Sequence, residues 1–360
     1  MRKFFELILG ILIFLSATAY IPGKGMDEAQ GIIFRIGITA LLIISFYLKP
    51  IRFITNKWIN TLLGVSFVSV LISQNLAQAV AINPFINILL GVMLLYLITN
   101  YAKEEMILNA LCWVVGVQAI MVILQAFHVD TLIIRTSGSR ADMTGLFEYR
   151  YALGVYMGVL APFLLISKRK LWKAFGIISV ILAVCSLSYA AIAIMVVSLV
   201  IISYKTRLFI PVIVFIMIAS FVGGYFAIKV SDECPNSISY KIKSRIDIHK
   251  RFIPCIMNKP FGYGLGCFKH VGPMVVNRHN SPYGDVTDAW SDFTERSMEL
   301  GFIFLVLFGL LCSDVIRRGG IILIGIPLNM AFHSCFNHYN LCILFIVLFA
   351  LWEIKQYKDI

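Results

Sequence analysis

Apolar stretches of membrane-spanning length recur along almost the whole 360-residue chain, and this repetition constrains its fold more than any other feature. About twelve are separated by short polar breaks: Phe4 to Ile21, Gly31 to Leu48, Leu62 to Val80, Phe85 to Tyr101, Met106 to Phe127, Tyr151 to Ile166, Trp172 to Leu187, Ala190 to Tyr204, Leu208 to Val230, Leu300 to Ile316, Gly319 to His338 and Asn340 to Ile354. An untilted helix needs roughly 20 apolar residues to cross the hydrocarbon core. No water satisfies backbone groups there, so only helices and closed barrels span it, and nothing here alternates as a barrel strand does. The expected fold is all-α, a polytopic membrane helix bundle of about twelve transmembrane helices with one long extracytoplasmic loop. Composition agrees, because 59% of residues are hydrophobic and 14% charged, against about 25% charged in a soluble domain.

The formal net charge of +12 would suit a polyanionic partner such as nucleic acid, so the position of the charge decides. The stretch Trp172 to Tyr204 reads as one long helix or two short ones. Two helices put Lys168, Arg169, Lys170 and Lys173 on the same side as Lys205 and Arg207. Applied along the chain, that choice gathers sixteen Lys and Arg on one face against Lys24, Arg135, Arg140 and Arg150 in the short loops opposite. By the positive-inside rule both termini are cytoplasmic. The basic excess is then mainly a topology signal, with no nucleic-acid partner implied. The N-terminal Met1-Arg2-Lys3 before an apolar run and Ala17-Thr18-Ala19 resembles a signal peptide, but with eleven further spans it reads as an uncleaved first helix. Arg35 lies inside a span, where a central arginine costs roughly 2.5–3.5 kcal/mol on insertion scales. It either binds an anionic lipid group or pairs internally with backbone or a polar neighbour.

Two polar segments exceed the short-loop pattern, His128 to Arg150 and the much longer Ser231 to Glu299, and both fall on the outer side. The chain is therefore expected to comprise transmembrane helices over 1–230, a periplasmic loop with short helices over 231–299, and further transmembrane helices over 300–360. Loops longer than about 12–15 residues are usually functional or disordered, and this one contains Trp, Phe, Gly and Cys in place of low-complexity sequence. No cysteine pair has CxxC spacing, which argues against a zinc site. Cys234, Cys255 and Cys267 share the loop, where an oxidising compartment would permit one disulfide and leave an odd thiol. His333 and His338, near the outer end of the eleventh span, read either as cavity-lining groups or as hydrogen-bonded structural histidines.

Within the loop, Asp288, Asp292, Glu295 and Glu299 are spaced i, i+4, i+7 and i+11, which places them on one helix face. Carboxylates about 4 Å apart repel by roughly 4 kcal/mol at an effective dielectric of 20, so the stripe needs cations or a shared proton. A carboxyl group held near neutrality is what general acid–base chemistry requires. The alternative is a solvated face with Arg296 paired to Asp292. Charge divides the loop, with nine Lys and Arg against three acids from Lys229 to Arg278, and one against five from His279 to Glu299. The halves should attract. Lys241, Arg245 and His249 lie four apart along the basic half, a face that suits a phosphate or that neutralises the acidic stripe. Between the halves, Gly262, Gly264 and Gly266 allow a tight turn or close backbone approach to a ligand. No β-strand precedes them, so a dinucleotide fingerprint is excluded.

This layout resembles the O-antigen ligase and polymerase superfamily of bacterial membrane glycosyltransferases. The likeness rests on Arg245, Pro260 and Gly264-Leu265-Gly266-Cys267-Phe268, on Trp290-Ser291-Asp292-Phe293 leading to Glu299-Leu300-Gly301, and on Arg140 with Gly145-Leu146-Phe147. The chain departs from the family pattern where Trp290 takes the place of a frequent catalytic His, and where Ser188-Tyr189 stands for a common Ser-Arg; His279-Asn280 lies upstream as a substitute. The resemblance implies an inverting transfer at the outer face of the inner membrane. Its donor is a glycan on undecaprenyl diphosphate and its acceptor a glycan or the lipid A core, with room for a chain-length regulator. It implies Arg140, Arg245 and Arg278, with His249, as groups for the diphosphate, and Trp290 and Phe293 as sugar-stacking or interfacial aromatics. The acceptor proton would go to His279, Asp288, Asp292 or Glu295. No cofactor or metal is expected, although the carboxylates from Asp285 to Glu295 could take a divalent cation. Polymerase and ligase remain alternatives within the family, and a transporter or flippase of a lipid-linked sugar is the alternative from another class.

Overall fold

The computed structural model describes residues 1–19, 26–48, 57–72, 75–127, 144–147, 150–186, 188–206, 249–277, 291–318, 320, 323, 325–332 and 338–358. Among these residues there is no strand. In chain order the helices are α1 (Arg2–Thr18), α2 (Met26–Ser45), α3 (Lys57–Ile72), α4 (Asn75–Tyr101), α5 (Glu104–Ala126), α6 (Arg150–Ile166), α7 (Lys170–Cys185) and α8 (Tyr189–Thr206). They continue with α9 (residues 249–258), α10 (Phe268–Asn277), α11 (Asp292–Leu300), α12 (Phe302–Arg317), α13 (Gly325–Phe332) and α14 (Tyr339–Lys358). Two segments, Ile82–Tyr101 in α4 and Glu104–Ala126, are long and apolar enough to cross a membrane, and shorter apolar helices accompany them. Leu7 and Ile11 of α1, Trp113 and Ile120 of α5, and Ile177 and Ile181 of α7 point outward. Soluble monomers rarely display extended apolar surface of this kind, and these faces suit lipid.

The stretch Trp172 to Tyr204 is two helices, α7 and α8, as its flanking charges imply. The break between the third and fourth apolar runs differs from expectation. Helix α3 ends at Ile72 and α4 begins at Asn75, ten residues before Phe85. In sequence the polar pair Ser73-Gln74, outside the described residues, lies between the two helices, whereas Pro84 is carried inside α4. A proline removes one intrahelical hydrogen bond, and adjacent helices and polar side chains can re-satisfy such a site in an apolar bundle. In the run expected as Gly319 to His338, the described helix is the eight-residue α13. The run Leu208 to Val230 lies outside the described residues.

The core lies where α1, α5, α6 and α14 meet, with Phe5, Leu9, Ile107, Leu111, Tyr156 and Leu348 almost wholly buried. Helix α6 approaches its neighbours closely because it presents glycine. A Cβ on Gly154 would lie 2.5 Å from Ser186 Oγ and 3.0 Å from Ala191, the small-residue packing that joins apolar helices. At one end of the bundle, Glu104 and Glu105 sit in the first turn of α5, favoured by the helix dipole. Lys355 of α14 reaches Glu104 at 3.1 Å and Arg169 reaches Glu105 at 2.7 Å. Arg318 meets Asp314 and the buried Glu353 nearby on α14, and stacks over Trp352. Cations from the α6–α7 turn, α12 and α14 thus share the end to which the charge pattern assigns them.

Two glutamines of α5 organise the other end. Gln118 is fully buried; its Nε2 donates to Ala17 O, at the close of α1, and Leu146 N–H donates to its Oε1, both at 2.8 Å. Gln125 Oε1 accepts from Thr144 and Gly145 N–H at 3.0 and 2.9 Å. The Gly145-Leu146-Phe147 motif is therefore a turn tied to α5, with Phe147 buried against Tyr156. Gln118→Leu removes a donor and an acceptor while nearly keeping volume, so each orphaned backbone group should cost about 1–3 kcal/mol. Thermal unfolding of the purified variant in detergent should show a lower Tm, and an unchanged Tm would disprove this role.

Candidate functional site

Helix α11 carries Asp292, Glu295 and Glu299 of the acidic stripe, and these three are not solvated. Asp292, Glu295 and Glu299 are 0%, 2% and 3% exposed. Their helix begins at Ser291, whose carbonyl accepts from Glu295 N–H at 3.1 Å, and the acids of its first turn suit the dipole there. Arg296 is mostly buried and ion-paired with Glu299, one turn along. Burial alone would lower the proton affinity of its guanidinium. The charges of Glu299, Glu295 and Asp292 outweigh that and hold it well above the usual arginine range.

The loop halves meet on this helix. His249, at the start of α9, is 2.9 Å from Thr294 Oγ1 through Nδ1. Phe252 of α9, Phe268 of α10 and Met298 of α11 form a small apolar core of their own. The glycine turn closes the arrangement. Tyr263 and Gly264 N–H donate to Met298 and Glu299 carbonyls at 2.8 and 3.0 Å, and Phe302 N–H donates to Pro260 O at 2.9 Å. These bonds satisfy carbonyls that a helix C-terminus leaves open. Gly262 and Gly301 both have φ +79°, and a Cβ on either would collide with backbone, that of Glu299 and of Pro260 respectively. The close approach that the glycines permit is thus to α11 itself. Leu265 N–H donates to Ser69 Oγ of α3 at 3.2 Å, fastening the turn to the bundle.

Beneath α11 lies a cavity of about 640 Å³ bounded by α2, α3, α4, α12 and α14. Its walls are largely apolar, including Ile59, Leu62, Leu95, Phe304, Phe345 and Phe349. Glu295, Arg296, Glu299 and Lys269 reach it from the loop, and Arg35, Asn87 and Tyr339 from the helices. Arg35 Nε donates to Asn87 Oδ1 at 3.2 Å, and Asn87 Nδ2 donates to Tyr339 OH at 2.9 Å. Arg35 therefore has the polar internal partner of one sequence reading, and it also lines the cavity.

The other expected residues divide clearly. Glu295 lines the cavity, Asp292 is buried on the same helix, and Phe293 packs edge-on against Phe308 within the apolar core. His338 is buried and bonded to Tyr151. Arg140, Arg245, Arg278, His279, Asp288, Trp290, Lys241 and His333 lie outside the described residues. Cys255 and Cys267 are free thiols, and Cys234 lies outside the described residues. Cys255 Sγ points to Arg251 O within α9, and Cys267 is buried. Burial and then the Glu299 charge push the Cys267 thiol up against the opposing pull of Lys259. Among the described residues no group of three or more His, Cys, Asp or Glu could hold a metal ion. Asn87, Tyr339 and Lys269 escaped sequence reasoning; the signal available was Asn83 and Asn87, four apart in an otherwise apolar run beside Pro84.

No known protein-family model matches the chain, and no curated protein matches it.

Two variants test this construction. Arg296→Met leaves buried carboxylates without their cation and should cost about 3–5 kcal/mol, while the pair Arg296→Met with Glu299→Met should recover part of it, Asp292 and Glu295 still lacking that cation; thermal unfolding of both decides. Gly301→Ala puts a side chain in a positive-φ extended region that is essentially reserved for glycine, costing about 1–3 kcal/mol, besides the collision with Pro260. It should open α11 to protease, and a wild-type digestion pattern would refute the lock.

Proposed function

We propose that this chain is a bacterial inner-membrane glycosyltransferase of the O-antigen polymerase or ligase type, multi-pass, with cytoplasmic termini and a periplasmic loop over Ser231 to Glu299. It acts on a glycan carried by undecaprenyl diphosphate. One observation supports the reading best: the cavity joins a buried, charged loop helix to apolar helix faces, so a lipid-borne substrate can keep its tail among side chains such as Phe345 and Phe349 while its polar end meets α11. The sequence resemblance supplies the reaction class.

In this reading the acceptor hydroxyl attacks the anomeric carbon of the donor. A new carbon–oxygen bond forms, the bond to the diphosphate oxygen breaks, and the configuration inverts. Glu295, which like Glu299 is both buried and at the cavity wall, takes the acceptor proton, Glu299 being ion-paired with Arg296. Arg140, Arg245 and Arg278 stabilise the charge growing on the departing diphosphate, the electrostatic form of catalysis, with Arg296 and Lys269 at the cavity wall adding positive potential. Asp292 and Glu299 hold Arg296 charged and in place.

The experiment is transfer or extension of a lipid-linked oligosaccharide by purified protein. Glu295→Gln should lower kcat by about 10²–10⁴-fold, the range for general base catalysis, with KM little changed. Arg140→Ala and Arg245→Ala should each reduce kcat/KM. Full activity in both arginine variants at normal expression overturns the diphosphate assignment, and full activity in Glu295→Gln moves the base to His279 or Asp288.

A further inference from the structure

Arg35 is a cation in the middle of an apolar helix, nine residues into α2 and so about 13 Å from the Met26 end at 1.5 Å per residue. Its partner among the described residues is the neutral amide of Asn87. That amide is oriented in turn by the Tyr339 hydroxyl. A guanidinium held by a neutral relay, with no carboxylate in ion-pair range among the described residues, keeps its full charge available. Buried or intramembrane charges are ordinarily paired or mark a functional site. The cavity into which Arg35 faces carries its carboxylates, Glu295 and Glu299, on α11, and Glu299 is already engaged by Arg296. Lys269 completes the charged groups of the wall, and the remaining surface is mostly apolar. Pockets of roughly 300–1,000 Å³ hold drug-sized ligands, and a 640 Å³ cavity accommodates an anionic group with the first part of an apolar chain.

We propose that Arg35, oriented by Asn87 and Tyr339, is an anion-binding group for an amphiphile of the long-chain alkyl or prenyl phosphate class, whose tail lies along the apolar wall formed by α3, α4, α12 and α14. Arginine suits the task because its planar fork presents parallel donors to phosphate oxygens. The residue is separate from those that the sequence resemblance would assign to the diphosphate. The inference rests on the transferase reading only in taking this amphiphile to be the lipid end of the donor; binding is measured without transfer, so the two can fail independently.

The test uses the full chain in phosphatidylcholine nanodiscs, which supply no anionic lipid, with geranylgeranyl diphosphate as probe and calorimetric or fluorescence titration as readout. Wild type should bind it at least about tenfold more tightly than inorganic diphosphate or geranylgeraniol, since the charged hydrogen bonds and the buried chain each contribute about a decade or more. Arg35→Gln should lose about tenfold or more, with Arg35→Lys recovering part. Asn87→Asp is nearly isosteric and gives Arg35 an internal counter-ion, so it should keep or raise Tm while abolishing the charge-dependent part of binding. A purely structural Arg35 would give the stabilisation without the loss. Wild-type affinity in Asn87→Asp, or in folded Arg35→Gln, overturns the proposal, and so does equal binding of inorganic diphosphate or of the uncharged alcohol.

Discussion

Three main-chain hydrogen bonds hold the candidate site together: Tyr263 and Gly264 onto the last carbonyls of α11, and Phe302 back onto Pro260. A short helix dense in carboxylates has little reason to bury itself, because desolvating charge is unfavourable unless it is paired and hydrogen-bonded. The glycine turn supplies a fixed seat. It caps α11, orients Glu299 toward Arg296, and through Leu265 and Ser69 anchors the assembly to α3. Side-chain chemistry at the cavity wall is thus set by backbone geometry that few residues other than glycine allow.

With α11 seated, the surrounding charges form a graded environment. Arg296 is drawn into a nest of acids that outweighs the penalty of its burial. Lys259, which stacks over Tyr263 at 4.4 Å, faces the same turn from outside. Arg35 stands apart on the α2 wall, supported by neutral groups alone. One apolar chamber is therefore lined by mixed charges from α10 and α11 and by Arg35 from α2. This arrangement favours a ligand that is itself divided into charged, hydroxylated and apolar parts.

The all-helical architecture was legible because runs of Leu, Ile, Val and Phe without alternation leave no other backbone solution in a bilayer. The division of Trp172 to Tyr204 was legible from the charges flanking it. The spacing of Asp292, Glu295 and Glu299 correctly put them on one helix face, but spacing reports a face and not what covers it; α11 packs against α3, α10, α12 and α13, and the glycine turn is hydrogen-bonded to its last turn. The start of α4 was not legible, because contacts with α2, α3 and α14 that no window of sequence contains outweigh the local cost of carrying Pro84 inside a helix. The relay of Arg35, Asn87 and Tyr339 was invisible for a related reason. Its first hydrogen bond joins residues 52 positions apart and its second joins residues 252 apart, and each residue alone reads as an isolated polar exception in an apolar run.

Gly301 is the single residue between α11 and α12. Helix α12 meets this turn with no intervening loop to absorb movement, so a reorientation of α12 is passed directly to the last turn of α11, where Glu299 pairs with Arg296.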